Sequence, residues 1–202
     1  MSVPAPAPPP PPPLDPVAAV LSYLVPGLGQ MVQGRFAKGL MFFVCLNGLF
    51  FYGMNMGQWK NVWLPNPTEL PKASLPIIGE LSGTPKSVYY RPQFLAQFWM
   101  GISAWPAIAQ YVLTPVPAGD DDSIPPTKPF GHFMQAPTEA DLNTFQRDGN
   151  KRWDLGWVYT VIAGVLNVLV IYDALAGPVI RDDEDAPAPP APASATPEGP
   201  PA

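Results

Sequence analysis

Four apolar windows of this 202-residue chain contain no Asp, Glu, Lys, Arg or His, and they constrain the fold more than any other feature. A charge at the centre of a membrane-spanning helix costs about 2.5–3.5 kcal/mol on insertion scales, so long charge-free apolar windows indicate spans. The sequence therefore predicts an all-α membrane protein. Its fold class combines three transmembrane helices with a short, Pro-broken N-terminal hydrophobic helix that forms a hairpin.

The first window, Pro16 to Gly34, is interrupted by Pro26 and Gly27. It predicts a short helix from Pro16 to about Val25, with Asp15 as its N-cap, because Pro fits the first helical position. A straight span needs about 20 apolar residues, so this helix is too short to cross by itself. The pattern leaves open a tight, broken span and a re-entrant or interfacial hairpin.

The other three windows are long enough to predict transmembrane helices. The predicted helices run from Gly39 to Gly57, from Phe94 to Leu113 and from Leu155 to Gly177. Pro106 lies inside the middle one, where the hydrophobicity continues on both sides. It is therefore expected to kink that helix rather than end it.

The rest of the chain divides into tails and loops. Residues 1–14 are Pro-rich and residues 181–202 are acidic and rich in Pro and Ala, so both are predicted to be disordered tails around a multi-pass domain of residues 15–180. The loop before the last helix contains a predicted surface helix within Pro137 to Arg152. Thr138 or Asp141 would cap it, and Gly149 would end it.

Small and polar residues inside the predicted spans indicate where helices pack. Thr160, Gly164 and Asn167 follow one another at spacings of four and three, so they share one helix face. Such residues usually face other helices, and Asn47 is the expected partner of Asn167. Packing is one interpretation of this face, and a path for a solute or ion is the other.

Charged residues lie at the edges of the predicted spans. Arg35 and Lys38 follow the first hairpin, where they are expected to extend to lipid head groups. Asp173 lies near the end of the last span, which favours a solvated or capping role. These three residues complete the set of candidate helix-packing or lipid-contact residues: Arg35, Lys38, Asn47, Thr160, Gly164, Asn167 and Asp173.

The composition argues against several classes of function. The net charge is −5 and no basic stripe is present, so nucleic-acid binding is not expected. His132 is the only histidine and Cys45 the only cysteine, which leaves too few ligands for a zinc site and excludes a disulfide within the chain. No nucleophile motif or phosphate-binding loop is found. The sequence therefore predicts no enzyme activity, no cofactor and no metal.

Two stretches resemble known membrane families. The hairpin PGLGQ…GRFAKG, residues 26–39, resembles the two-transmembrane-helix domain. The last apolar segment, residues 154–174, is similar to an uncharacterised bacterial family of multi-pass membrane proteins that combines such a hairpin with a C-terminal helix. This resemblance implies a location in the bacterial inner (cytoplasmic) membrane and no established activity.

The leading functional prediction is a non-enzymatic structural or partner-binding membrane component. It would contact the lipid bilayer and a membrane-protein partner or a second copy of itself. The alternative is a small transporter or channel subunit that uses Asn47, Asn167 and Asp173. Polar groups lining a continuous wet cavity would favour transport, and polar groups paired in a dry interface would favour the structural role.

The orientation follows from the positive-inside rule only if the first element crosses the membrane. Arg35 and Lys38 would then share one side with Lys151 and Arg152. That side is the predicted cytoplasmic one.

Overall fold

The computed structural model describes residues 14–66, 70–76, 79–114, 130–147 and 151–177. Both predicted tails fall almost entirely outside these residues. The described chain is mostly helical, and its helices are α1 (Pro16–Leu24), α2 (Leu28–Val32), α3 (Phe36–Met56), α4 (Gly83–Tyr90), α5 (Gln93–Gln97), a 3-10 helix (Phe98–Ser103), α6 (Trp105–Leu113), α7 (Glu139–Arg147) and α8 (Lys151–Ala176).

Two short strands correct the all-α prediction. β1 (Ala73–Leu75) pairs antiparallel with β2 (Gly79–Leu81), and Ala73 lies opposite Leu81. Ala73 and Leu81 are buried, whereas Ser74 and Glu80 between them are exposed. This alternation with a period of two is what a half-buried hairpin requires, and three residues per strand are too few for it to stand out in the sequence.

The long helices α3 and α8 form the centre of the bundle and run antiparallel. Lys38 at the start of α3 meets Asp173 near the end of α8, and the backbone of Gly53 touches that of Gly156 at the opposite end. We call these the Asp173 end and the Gly156 end. Gly53 and Gly156 therefore let the two helices approach closely at that end.

Both long helices match the predicted spans in length and composition. α3 has 21 residues and α8 has 26, and both are apolar enough to cross a membrane. At about 1.5 Å per residue they measure roughly 32 and 39 Å, more than a hydrocarbon core of about 30 Å. Only 22% of the most apolar α3 window and 33% of that of α8 are buried inside the protein. Most of their apolar surface therefore faces outward.

The first hairpin, α1–α2, begins and ends at the Asp173 end. The Asp15 N–H donates to the Leu175 carbonyl at 2.9 Å, and after the turn the Gln33 amide donates to the Ala174 carbonyl at 2.7 Å. The Asp15 cap is confirmed, because its carboxylate accepts from the Ala18 N–H at 3.0 Å. Of the alternatives left open by the sequence, the fold is therefore the hairpin and not the broken span.

The predicted third span, Phe94 to Leu113, is wrong. The segment is divided into α5, the 3-10 helix and α6, and Gly101 at φ 59° and ψ −129° breaks the helical path. Only glycine adopts such a backbone readily, so the chain reverses although the hydrophobicity continues. Pro106 does not kink a helix, because it occupies the first turn of α6, where its missing N–H costs nothing.

The second hairpin, from α5 to α6, opens at the Gly156 end. The backbones of Gly164 and Ala96 touch, which lays α5 beside α8. After the reversal, Gln110 of α6 donates to the Phe133 carbonyl at 2.8 Å, and the Phe133 ring lies 5.8 Å from the ring of Trp59 at the end of α3. Both arms of this hairpin therefore reach the end of the bundle opposite to the first.

The β-hairpin, α4 and α7 lie together at the Gly156 end, and we call them the outer layer. The predicted surface helix is confirmed as α7: Thr138 accepts from the Asp141 N–H and Asp141 accepts from the Thr138 N–H, both at 3.2 Å. Its predicted terminator, Gly149, lies outside the described residues. The Phe145 ring stacks on Trp153 at 5.5 Å, which joins α7 to the start of α8.

Candidate functional site, a polar interior between two hairpins

Seven polar side chains of the described residues lie at 0% exposure, and all of them except Ser87 of α4 lie inside the apolar bundle. Burying a polar group without a partner costs about 1–3 kcal/mol, so their bonding decides what the bundle can do. We call those inside the bundle the polar interior. It consists of Ser22, Gln30, Asn61, Gln97, Thr160 and Asn167.

Asn167 joins both hairpins to α8. Its amide nitrogen donates to the Ser22 carbonyl of α1 at 3.2 Å and to the Trp99 carbonyl of the 3-10 helix at 2.7 Å. These carbonyls lie where the hairpins approach each other, because Gly101 packs against the backbone carbonyls of Tyr23 and Leu24. One side chain therefore bonds the backbones of two elements that enter from opposite ends.

A charged cluster holds the first hairpin at the Asp173 end. The Asp173 carboxylate lies 3.0 Å from Arg35 and 2.6 Å from Lys38, and it also accepts from the Gln30 amide at 3.2 Å. Gln30 in turn donates to the Val170 carbonyl at 2.8 Å and accepts from the Ser22 hydroxyl at 2.9 Å. Asp173 is therefore an ion-paired group rather than a simply solvated one, and Arg35 and Lys38 bind it.

The second hairpin is bonded to α8 and to the loop after α3. The Gln97 amide donates to the Thr160 hydroxyl at 2.7 Å and to the Asn61 carbonyl at 3.3 Å. The Asn61 amide donates to the Gly53 carbonyl at 3.0 Å. Gly164 lies against Ala96 with no room for a side chain, so α5 can sit directly on α8.

Arg91 closes this end of the polar interior. Its side chain is buried, donates to the Asn61 carbonyl at 3.2 Å and lies 4.0 Å over the ring of Trp63. Burial lowers the pKa of the Arg91 guanidinium to about 10. Trp63 is itself buried beneath Arg91.

The predicted pairing of Asn47 with Asn167 is wrong. Asn47 lies on α3, donates to the Phe43 carbonyl of its own helix at 2.9 Å and accepts from the Ser103 hydroxyl at 2.9 Å. Thr160, Gly164 and Asn167 do share one face, as predicted. That face is covered by α1, α5 and the 3-10 helix, which occupy the place where Asn47 was expected.

Several buried side-chain acceptors have no hydrogen-bond partner within the described part of the chain. They are the side-chain oxygens of Asn61, Gln97 and Asn167. Buried polar atoms in native proteins are usually satisfied, and small ordered molecules such as water commonly serve. The polar interior therefore has spare acceptor capacity along one side of α8.

An open pocket of about 410 Å³ lies in the outer layer. It is lined by Lys60, His132 and Asp141, among others, and Lys60 pairs with Asp141 at 2.8 Å. Burial raises the pKa of Asp141, but the hydrogen bonds and charge of Lys60 and the bonds of Thr138 outweigh it, so the pKa lies below its usual value. Among the residues that the structure describes, no three His, Cys, Asp or Glu side chains come together as metal ligands.

The sequence prediction missed four members of the polar interior: Ser22, Gln30, Asn61 and Gln97. Ser22, Gln30 and Gln97 were visible as polar residues inside charge-free windows, the same signal that selected Asn47 and Asn167. Asn61 and Arg91 carried no such signal, because they lie outside the predicted spans. Only the return of the chain over the Gly156 end buries them.

The chain belongs to the family of unknown function DUF6677, whose model matches residues 17–186. The match covers both hairpins, both long helices and the outer layer. No curated protein and no solved structure matches the chain. The description of this family assigns no activity, which is consistent with the expected uncharacterised family.

Proposed function

We propose that this chain is an integral protein of the bacterial inner membrane with a non-enzymatic, structural or partner-binding role. α3 and α8 cross the bilayer, and the two hairpins enter it from opposite faces as re-entrant elements. Large apolar side chains point outward from the bundle, among them Val44 at 58% exposure and Leu169 at 62%. A helix pair with such surfaces is stable in lipid and would aggregate in water.

The bonding of Asn167 carries the structural role. Non-helical backbone at membrane depth is tolerated where protein buries it and satisfies its polar groups. Asn167 donates to carbonyls of both hairpins at 0% exposure, and Gln30 and Gln97 bond neighbouring helices in the same buried interior. These polar groups support the backbone of the hairpins, which fits a rigid body that presents the outer layer to a membrane-protein partner or a second copy.

The orientation is proposed anew, because the first element does not cross. Arg35 and Lys38 lie at the opposite end from Lys151 and Arg152, so the earlier grouping of these four is wrong. Seven described basic residues lie at the Gly156 end and two at the Asp173 end, which favours a cytoplasmic Gly156 end. The seven are Lys60, Lys72, Lys86, Arg91, Arg147, Lys151 and Arg152.

Two measurements test this proposal. The protein should stay with the membrane on carbonate extraction, and purified protein in liposomes should not raise permeability to water, glycerol or monovalent cations above that of empty liposomes. For orientation, Thr144→Cys in a Cys45→Ser background should react with an impermeant maleimide in inside-out vesicles only. Release by carbonate would refute membrane integration, and solute flux would refute the purely structural role.

A transport role is the second candidate, and the unpartnered oxygens of Gln97 and Asn167 favour it. They lie near the meeting point of the hairpins, where a water molecule or a cation could occupy spare acceptors. Flux in liposomes that disappears in the Asp173→Asn, Asn167→Ala double variant would support it. Flux that survives in that variant would leave the polar interior without a transport role.

A further inference from the structure

Two buried donors lie unpartnered in one contact at the Gly156 end. The guanidinium carbon of Arg91 sits 4.0 Å over the ring of Trp63, and both side chains are only 8% exposed. Neither the Arg91 Nε nor the Trp63 indole Nε1 has a hydrogen-bond partner among the residues that the structure describes. An unsatisfied buried donor is costly, and two of them in contact point to an absent acceptor.

Arg91 is also a buried cation without a counter-ion. Among the described residues no carboxylate pairs with it, whereas Asp173 pairs with Arg35 and Asp141 with Lys60. Its polar contact is the neutral carbonyl of Asn61 at 3.2 Å. Because a buried charge is usually paired, the missing partner is expected to be an anion.

The surroundings of the contact narrow the kind of anion. Arg91 lies just before α5, at the end of the bundle where Trp59, Trp153 and Trp157 also lie, and tryptophans gather at the level of lipid head groups. A glycerophospholipid head group at that level offers a phosphate oxyanion.

We infer that Arg91 and Trp63 form a binding site for a phosphate oxyanion. Arginine binds phosphate through charge-assisted hydrogen bonds, and the indole N–H adds a second, directional donor. The chemistry of the site stands on the contacts alone. Its assignment to a lipid source rests on the proposed membrane location.

Purified full-length protein in detergent provides the test. Phosphatidylglycerol should raise its melting temperature more than phosphatidylcholine does, since only the former is anionic. The dependence of this rise on lipid concentration gives an affinity. Inorganic phosphate and glycerol phosphate are tested in parallel. If they raise the melting temperature as much as the lipid does at equal phosphate concentration, the same site binds a soluble ligand.

Three variants decide whether the site is the one described. Arg91→Gln should weaken phosphatidylglycerol binding about tenfold or more. Trp63→Phe keeps an aromatic face under Arg91 but removes the indole N–H together with the five-membered ring, and it should weaken binding about fivefold. Lys151→Gln, which removes an exposed positive charge at the same end, is the matched control and should bind as the wild type does. Equal binding by all three variants would overturn the inference. So would an equal rise in melting temperature with both lipids together with no rise with inorganic phosphate.

Loss of phosphate binding can be distinguished from misfolding and from a protein that is not integrated in the membrane. If Arg91→Gln does not fold, Trp63→Phe alone decides, because it keeps an aromatic side chain at this position and leaves the charge of the protein unchanged. If carbonate extraction releases the protein, the membrane proposal fails, and the phosphate measurements still test the site. Wild-type affinity in a folded Trp63→Phe variant would contradict the inference in either case.

Discussion

The two hairpins enter the bundle from opposite ends and are anchored by opposite electrostatic means. The open end of α1–α2 is held by a balanced cluster, in which Asp173 neutralises Arg35 and Lys38 and accepts from Gln30. The open end of α5–α6 is held by Arg91, a buried cation for which the described residues supply no carboxylate. The charges that hold the first hairpin are paired within the described chain. The Arg91 charge that holds the second is not.

The tips of both hairpins are stabilised by the same side chain. Both place non-helical backbone deep in an apolar bundle, and both receive a hydrogen bond from Asn167. Their contact depends on Gly101, which lies against the carbonyls of Tyr23 and Leu24. Changes at the tips should therefore affect both hairpins, and changes at the open ends should affect only one.

The largest effect is expected from Gly101→Ala. The new side chain would occupy a positive-φ conformation and would collide with the Tyr23 backbone, so the loss of stability should reach about 3 kcal/mol or more. Gly34→Ala is the matched control, because Gly34 also has positive φ (81°) but open space around it, and it should lose about 1 kcal/mol. Thermal unfolding in detergent measures both, and equal losses would contradict a tip-to-tip contact.

A smaller loss should follow Asn167→Leu, which leaves insertion intact and removes the bonds to both hairpins. Because the carbonyls of Ser22 and Trp99 lose their donor, the free energy of unfolding should fall by about 2 kcal/mol. Asn47→Leu serves as control, since Asn47 bonds its own helix and one hydroxyl, and it should lose less than half as much. Hydrogen exchange should increase in α1 and in the 3-10 helix together, and an increase in only one of them would break the proposed link.

Asp173→Asn should loosen only the first hairpin. Arg35 and Lys38 would lose their counter-ion, but the carboxylate is 28% exposed, so screening limits the loss to about 1 kcal/mol. Hydrogen exchange should rise in α2 and stay unchanged in α6. A uniform rise in both would mean that the ends of the bundle are coupled more tightly than their contacts indicate.

The smallest effect concerns the outer layer and its pH dependence. The pKa of Asp141 is lowered in the folded protein, so its contribution is present above the ordinary pKa of 3.8 and is lost as the pH falls through the folded pKa. Its side chain is one-third exposed (33%), so the contribution should be below about 1 kcal/mol. Melting temperatures of the wild type and of Asp141→Asn should converge below about pH 4 and differ at pH 7, and a constant difference would exclude this carboxylate as the cause.

Local chemistry made part of the fold predictable. Asp15 caps α1 because a carboxylate before Pro16 satisfies free helix N–H groups wherever that sequence occurs. α3 and α8 follow from unbroken apolar windows, and the face of Thr160, Gly164 and Asn167 follows from the helix period. Each of these depends on residues within a few turns of one another.

The errors concern contacts between distant parts of the chain. The hydropathy of Phe94 to Leu113 is that of a span, and the reversal at Gly101 is favoured only where α1 offers carbonyls to pack against. Asn47 and Asn167 were suitable partners by type, but α5 and the 3-10 helix lie on the face of α8 that Asn47 was expected to reach. The burial of Arg91 likewise depends on Trp63 and Asn61, 28 and 30 residues earlier in the chain.

The sequence by itself determined that the chain has two long apolar helices, a capped short helix before them and polar residues on one face of the last helix. Charge-free windows, caps and helix periodicity are local, so they can be recognised without any tertiary contact. Only the tertiary structure decided between the hairpin and the broken span for the first window and showed that the third window turns back. It also decided that Asn167 bonds both hairpins and that Arg91 is buried with no carboxylate among the described residues. Those outcomes depend on backbone approaches between distant segments, which a one-dimensional pattern does not specify.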